Sequence, residues 1–133
     1  MEQVELVNDI APMLAVVASR KKDNLISYGE LVRLLKALKP HEYEDLEPRS
    51  EVFHSALELV SDRSLEAHGF ALSSVVVNAR TGIPGSGFFD AAISRWHLPN
   101  AQKVHGRVGI DPDSPGYRMW TEQAHRAIKH YSR

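Results

Sequence analysis

Apolar residues in the first half of the chain recur at intervals of three and four positions, a pattern that predicts amphipathic helices. The first helix covers about residues 4–19, and Pro12 either bends it or begins a second piece. Ser27 precedes the second helix and has Glu30 three residues later, which is the spacing of a capping box. A third helix is predicted from Arg49 to Val60, with one apolar stripe facing the core.

The pattern changes between Ser73 and Phe89, where the sequence predicts a β-hairpin. Three consecutive valines, 75–77, favour a pleated and buried first strand. Asn78 and Gly82 bracket the turn, because glycine adopts positive φ at little cost and asparagine tolerates it. Pro84 and the two glycines that follow it weaken the return strand, as is typical of an edge strand or a wing.

Helical spacing returns for about two turns after the hairpin, and a polar loop follows. Ser114 then caps a final helix that has Pro115 at its first position and ends near Tyr131. Together these elements predict a mostly helical α+β fold, in which a winged-helix-like three-helix head carries a β-hairpin wing and a C-terminal amphipathic helix. We expect one domain over residues 1–133, with its core at 24–90 and the helix 114–131 packed on that core.

Part of this order resembles a known family. The phrase Ile26-Ser27-Tyr28-Gly29-Glu30-Leu31, the helix start at Pro48-Arg49 and the valine strand before a Gly-rich hairpin are similar to the DNA-binding domain of alkylguanine-DNA alkyltransferases and alkyltransferase-like proteins. The likeness covers about residues 24–90. It implies a winged helix in which Tyr28 helps to rotate a nucleotide and the next helix is the recognition helix.

The resemblance does not extend to the chemistry of the family. Its alkyl-accepting cysteine and the histidine partner fall on Ser73 and Ser74, so alkyl transfer is excluded, and its base-stack arginine falls on Val52. A serine nucleophile would need a base and an orienting acid, and nothing in the sequence brings His54 or His68 beside the two serines. We therefore expect no catalytic residues and no enzyme activity.

The composition narrows the choice of protein class further. The chain has no cysteine, which excludes disulfides and cysteine-based metal sites. Of its seven histidines, His125 and His130 are five positions apart and fall on different faces of one helix, so we expect no metal and no cofactor. No apolar run approaches the roughly 20 residues of a membrane span, and the acidic start does not look like a signal peptide. A cytoplasmic protein without a membrane partner is the expectation.

Charge is distributed unevenly along the chain. Residues 1–70 hold 13 acidic and 8 basic side chains, whereas residues 71–133 hold 4 and 8. The segment 91–110 contains no acid at all, so it is a candidate anion-facing surface. The first functional hypothesis is a winged-helix-like protein that binds nucleic acid through the hairpin tip and this segment, with the candidate residues Tyr28, Arg80, Thr81, Arg95, Lys103 and Arg107.

The second hypothesis is a small immunity or antitoxin protein that covers a basic toxin or nuclease. The exposed side of the third helix carries acidic side chains, whereas a helix that enters a DNA groove approaches phosphates that attract Lys and Arg. We therefore do not expect this helix to bind in a DNA groove. The oligomeric state is left open. The candidate residues of this acidic surface, which spans 42–62, are Glu42, Glu44, Asp45, Glu47, Glu51 and Glu58.

Overall fold

The computed structural model describes residues 3–102 and 111–132. In chain order the elements of these ranges are α1 (Gln3–Ser19), β1 (Ile26–Ser27), α2 (Tyr28–Leu38), α3 (Glu51–His68), a 3-10 helix (Leu72–Val75), β2 (Val76–Val77), α4 (Ser86–Ser94) and α5 (Pro115–Tyr131). The predicted mostly helical α+β character is therefore confirmed. Within the described ranges, no helix is both long enough and apolar enough to cross a membrane.

Two helices begin at the serine caps that the sequence predicts. The Ser27 Oγ accepts a hydrogen bond from the Glu30 N–H at 3.1 Å, at the start of α2. The Ser114 Oγ accepts one from the Tyr117 N–H at 3.4 Å, and Pro115 occupies the first turn of α5. These bonds satisfy backbone donors that have no partner inside the helix.

Two other helices differ in detail from the prediction. The helix α1 runs without interruption through Pro12, so no second helix begins at this proline. The helix α3 continues well beyond Val60 to His68 and ends at Gly69, whose φ of 82° is accessible to glycine at little cost. The predicted end at Val60 is wrong because buried serines, rather than apolar residues, continue the inner face of this helix.

The predicted β-hairpin is also wrong. The strand β2 pairs in parallel with β1, so that Val76 lies opposite Ile26 and Val77 lies opposite Ser27. The valines are buried as expected, but their partner is a strand that lies far earlier in the chain. A long-range pairing of this kind leaves no signal in the local pattern of apolar and polar residues.

The return segment of that hairpin folds differently too. The chain reverses as predicted between Asn78 and Ile83, where the Asn78 N–H donates to the Ile83 carbonyl at 2.8 Å and Gly82 has a φ of 75°. After this reversal the chain enters α4 instead of a second strand. The buried residues of α4 show helical spacing rather than alternation: Phe88, Phe89, Ala91 and Ala92.

The segment from Phe70 to Val77 runs through the interior, and every residue in it is buried. Its backbone is only partly regular, so side chains of α3 take up several of its polar groups. The Ser64 hydroxyl donates to the Phe70 carbonyl at 2.6 Å and accepts from the Leu72 N–H at 2.9 Å. The Ser61 Oγ accepts from the Ser73 N–H at 2.9 Å.

Side chains of α5 complete the same set of bonds from the other side. The Gln123 Oε1 accepts from the Ala71 N–H at 2.8 Å, and the Trp120 Nε1 donates to the Ser74 carbonyl at 2.8 Å. Buried backbone groups that lose such partners destabilise a protein by their full desolvation cost. The buried segment therefore fixes α3 and α5 relative to each other.

We predict that Ser64→Ala lowers the free energy of unfolding by about 1–3 kcal/mol, because the Leu72 N–H is left buried without an acceptor. Ser55 lies half-buried on the same helix, and no hydrogen bond of its hydroxyl is found among the described residues, so Ser55→Ala is the matched control. Urea denaturation followed by circular dichroism measures both variants. Equal stability of the two variants would contradict the assigned role of Ser64.

Candidate functional site

Tyr28, the residue that the resemblance associates with nucleotide rotation, joins three elements of the fold. Its ring packs edge-on against Phe53, with ring centroids 6.4 Å apart, and tilts against His54 at 5.5 Å. Its hydroxyl accepts a hydrogen bond from the Gly85 N–H at 2.9 Å, just before α4. Burial raises the pKa of this hydroxyl, and the bond from Gly85 partly opposes that effect. Tyr28 thus ties α2 and α3 to the start of α4.

A small pocket lies next to Tyr28, and Ser73 also lines it. The pocket has a volume of about 30 Å³, which is room for roughly one water molecule. The Ser73 hydroxyl lies 2.6 Å from that of Ser61, while the His54 Nε2 donates to the Pro48 carbonyl at 2.7 Å. Among the described residues no hydrogen bond joins the serine to this histidine.

The sequence did not predict that these side chains come together in one pocket. His54 and Glu58 lie four residues apart on α3, and both line the pocket together with Ser73 and Trp96. The four-residue spacing places the first two on one helix face and was the available signal. The link to Ser73 depends on tertiary packing, so it had no local signal.

Arg95, a candidate contact to nucleic acid, lies against α3 and binds acidic side chains there. Its guanidinium binds Asp62 through two nitrogens, Nη2 at 2.6 Å and Nε at 2.9 Å, and lies 3.6 Å from Glu58. The Trp96 Nε1 donates to the same Asp62 carboxylate at 2.8 Å. The hydrogen bond from Arg95 is the main cause that holds the pKa of Asp62 below its ordinary value. The positive charge of Arg95 is therefore balanced within the fold.

The other nucleic-acid candidates differ in their surroundings. Arg80 is exposed at the tip of the 78–83 loop, and its backbone N–H donates to the Asn78 Oδ1 at 2.9 Å. The Thr81 hydroxyl bonds only locally, to the Ile83 backbone at 3.4 Å. Lys103 and Arg107 lie outside the described residues. The structure therefore brings Arg80 and Thr81 together at one loop and holds Tyr28 and Arg95 in contacts within the fold.

Four of the six acidic candidates lie on the connection between α2 and α3, and the other two, Glu51 and Glu58, lie on α3. Tyr43 and Leu46 are buried and hold this connection in place, and the Tyr43 hydroxyl donates to the Asp9 Oδ2 at 2.6 Å. The side chains between and after these two anchors point to solvent. Within residues 3–102 and 111–132 no ion pair is found for four of the exposed carboxylates of this surface, which are Glu44, Asp45, Glu47 and Glu51.

The remaining two acidic candidates are engaged. Glu58 forms the ion pair with Arg95 described above. The hydrogen bond from Lys39 is the main cause that lowers the pKa of Glu5, and the neighbouring Glu42 carboxyl adds to it. The same contact with Glu5 raises the pKa of Glu42. The Lys39 Nζ lies beside them, 2.7 Å from Glu5 and 3.0 Å from Asp9. These two contacts raise the pKa of Lys39 and keep it charged.

No protein-family model, curated protein or solved structure matches this chain. In the part of the chain that the structure describes, no group of three or more His, Asp, Glu or Cys side chains is placed to hold a metal ion.

We predict that Asp62→Asn lowers the free energy of unfolding by about 1 kcal/mol or less at neutral pH, as is usual for a partly exposed pair. Because the pKa of Asp62 is lower in the folded protein than its ordinary value of 3.8, its contribution is complete above that pH. It is lost as the pH falls through the lowered pKa. Urea denaturation of both proteins between neutral and acidic pH measures the difference.

The matched control is Glu66→Gln, an exposed carboxylate on the same helix with no ion pair among the described residues. The gap between wild type and Asp62→Asn should close on acidification, while the control stays near wild type throughout. A gap that is independent of pH would show that the Arg95–Asp62 pair does not act through the ionised carboxylate.

Proposed function

We propose that this chain is a non-catalytic binding protein that engages a basic protein partner through its acidic surface. This acidic surface consists of Glu44, Asp45, Glu47 and Glu51. The observation that carries the proposal is that these four carboxylates are exposed and unpaired within the described residues, whereas the nearby cations Lys39 and Arg95 are already bound to other acids. A surface on which four unpaired carboxylates outnumber one exposed cation, Arg49, is thus available to a partner.

Two buried side chains anchor the connection between α2 and α3, which carries most of this surface. Tyr43 and Leu46 are almost fully buried, at 1% and 0% exposure. A surface fixed in this way loses little freedom when it binds, so less of the interaction energy is spent on ordering. Charge complementarity also speeds the encounter with a basic protein and makes the rate sensitive to salt. Both properties suit an immunity or antitoxin protein that covers a basic toxin or nuclease in the cytoplasm.

A second proposal is association with nucleic acid through the 78–83 loop. It is supported by Arg80, which is exposed on the 78–83 loop and has no ion pair in the described ranges. In this proposal Arg80 and Thr81, with Lys103 and Arg107, contact the phosphate backbone, and binding weakens as salt rises.

The acidic surface is tested by neutralising it in the variant Glu44→Gln, Asp45→Asn, Glu47→Gln, Glu51→Gln. The control changes net charge equally on other surfaces: Asp23→Asn, Glu30→Gln, Glu66→Gln, Glu122→Gln. Immobilised wild type, variant and control are exposed to a nuclease-treated extract of the source cells, and bound proteins are quantified by mass spectrometry. We predict that a protein with a basic surface binds wild type and control and is lost, by about tenfold or more, from the variant.

The captured protein is then purified and its association rate with each form is measured at low and high salt. A rate that falls with salt for wild type, and is already slow for the acidic-surface variant, supports the proposal. If no captured protein depends on the four carboxylates, the proposal is wrong. If a fluorescent duplex or single strand then binds wild type and is lost with Arg80→Ala, the second proposal takes its place.

A further inference from the structure

A groove of about 500 Å³ lies between α1 and α2, away from the acidic surface. Its walls are mainly apolar, and several of them are open to solvent: Val16 is 61% exposed, Leu38 52% and Leu34 38%. The lining residues are Pro12, Met13, Val16, Val17, Arg20, Leu34, Ala37 and Leu38. Contiguous apolar surface of this kind marks a place where another surface docks.

The two helices that form the groove run in opposite directions. Lys39, which follows α2, bonds to Glu5 and Asp9 near the start of α1. Arg20, which follows the end of α1, lines the same groove near Leu34 in α2. The groove therefore has one end at the start of α1 and the other end beside the loop after α1.

These two ends carry opposite charge. At the first end three carboxyls, those of Glu5, Asp9 and Glu42, surround the single ammonium group of Lys39. At the second end the exposed residues Arg20, Lys21 and Lys22 follow one another, and no ion pair of these three cations is found among the described residues. Along the groove the order is acid, apolar, base. A span of fifteen helical residues between Glu5 and Arg20 separates the two ends by about 22 Å.

We propose that this groove is a homodimer interface, in which a second copy of the chain docks about a two-fold axis through the apolar middle. In such an interface the same patch is used twice, so a patch that is acidic at one end and basic at the other complements itself when rotated. Val16 and Leu38 of each copy bury against the other copy. The Arg20–Lys22 loop of each copy faces the Glu5–Glu42 end of its partner. The acidic surface of the proposed function is a separate feature, so this inference goes beyond it.

The apolar part of the interface is tested by a pair of valines on one helix. Val16 lines the groove and Val4 lies outside it, yet both belong to α1 and both are 61% exposed. Sedimentation equilibrium of wild type should give a species of twice the 14.9 kDa chain mass at micromolar concentrations. We expect Val16→Glu to weaken dimerisation by at least about tenfold and Val4→Glu to leave it unchanged. Circular dichroism confirms that both variants are folded.

The charged ends are tested by reversing each one separately. One variant carries Arg20→Glu, Lys21→Glu and Lys22→Glu, and the other carries Glu5→Lys and Glu42→Lys. Each variant alone has like charges facing each other across the axis and should be mainly monomeric. An equimolar mixture restores opposite charges at both contacts, so the heterodimer should form.

Three results would overturn the inference. The first is a wild-type chain that stays monomeric up to about 100 μM, a concentration at which even a weak dimer is populated. If the chain is monomeric and an unrelated apolar helix binds in the groove, the groove has a different occupant. The second is equal dissociation by Val16→Glu and Val4→Glu. The third is a mixture of the two charge-reversed variants that remains monomeric.

Discussion

The segment from Phe70 to Val77 lies inside the protein although only its last two residues belong to a strand, and the rest of the structure is arranged around its backbone. Buried N–H and C=O groups need partners, and a segment without a long ladder has to find them in side chains. Ser61 and Ser64 provide them from α3, and Gln123 and Trp120 provide them from α5. The helices that carry these side chains are thereby held on either side of it. The strand β1 pairs with the end of the segment and so positions α2, with Tyr28 at its first residue, against α3 and the start of α4.

The features that were predictable from the sequence are those that depend on neighbours along the chain. The cap of α2 at Ser27, the cap of α5 at Ser114 and the chain reversal at Gly82 all follow from residues within a few positions of each other. The partner of Val76 is different, because Ile26 lies far away in the sequence and a two-residue parallel pairing leaves no pattern. The serines Ser61 and Ser64 look like surface residues until the segment that they bind is known.

The same distinction applies to the candidate sites. Exposure of the acidic surface follows from its polar sequence, and the structure agrees with it. The pairing of Arg95 with Asp62 joins residues of two different helices, so the balance of that charge could not be predicted. The effect on function is direct, because a basic segment that looked available to a phosphate backbone has one of its cations bound internally. Among the described candidate residues, the exposed Arg80 and the unpaired carboxylates are then the stronger guides to a partner.

Native-state hydrogen exchange of the Ala71, Leu72 and Ser73 amides tests the central claim most directly, because these three N–H groups are held by side chains of Gln123, Ser64 and Ser61. If the buried segment organises the fold, their exchange requires opening free energies close to that of global unfolding. The amides of the exposed loop residues Lys21 and Lys22 should exchange far more readily in the same experiment. Exchange of the three segment amides at rates similar to those of that loop would contradict the account.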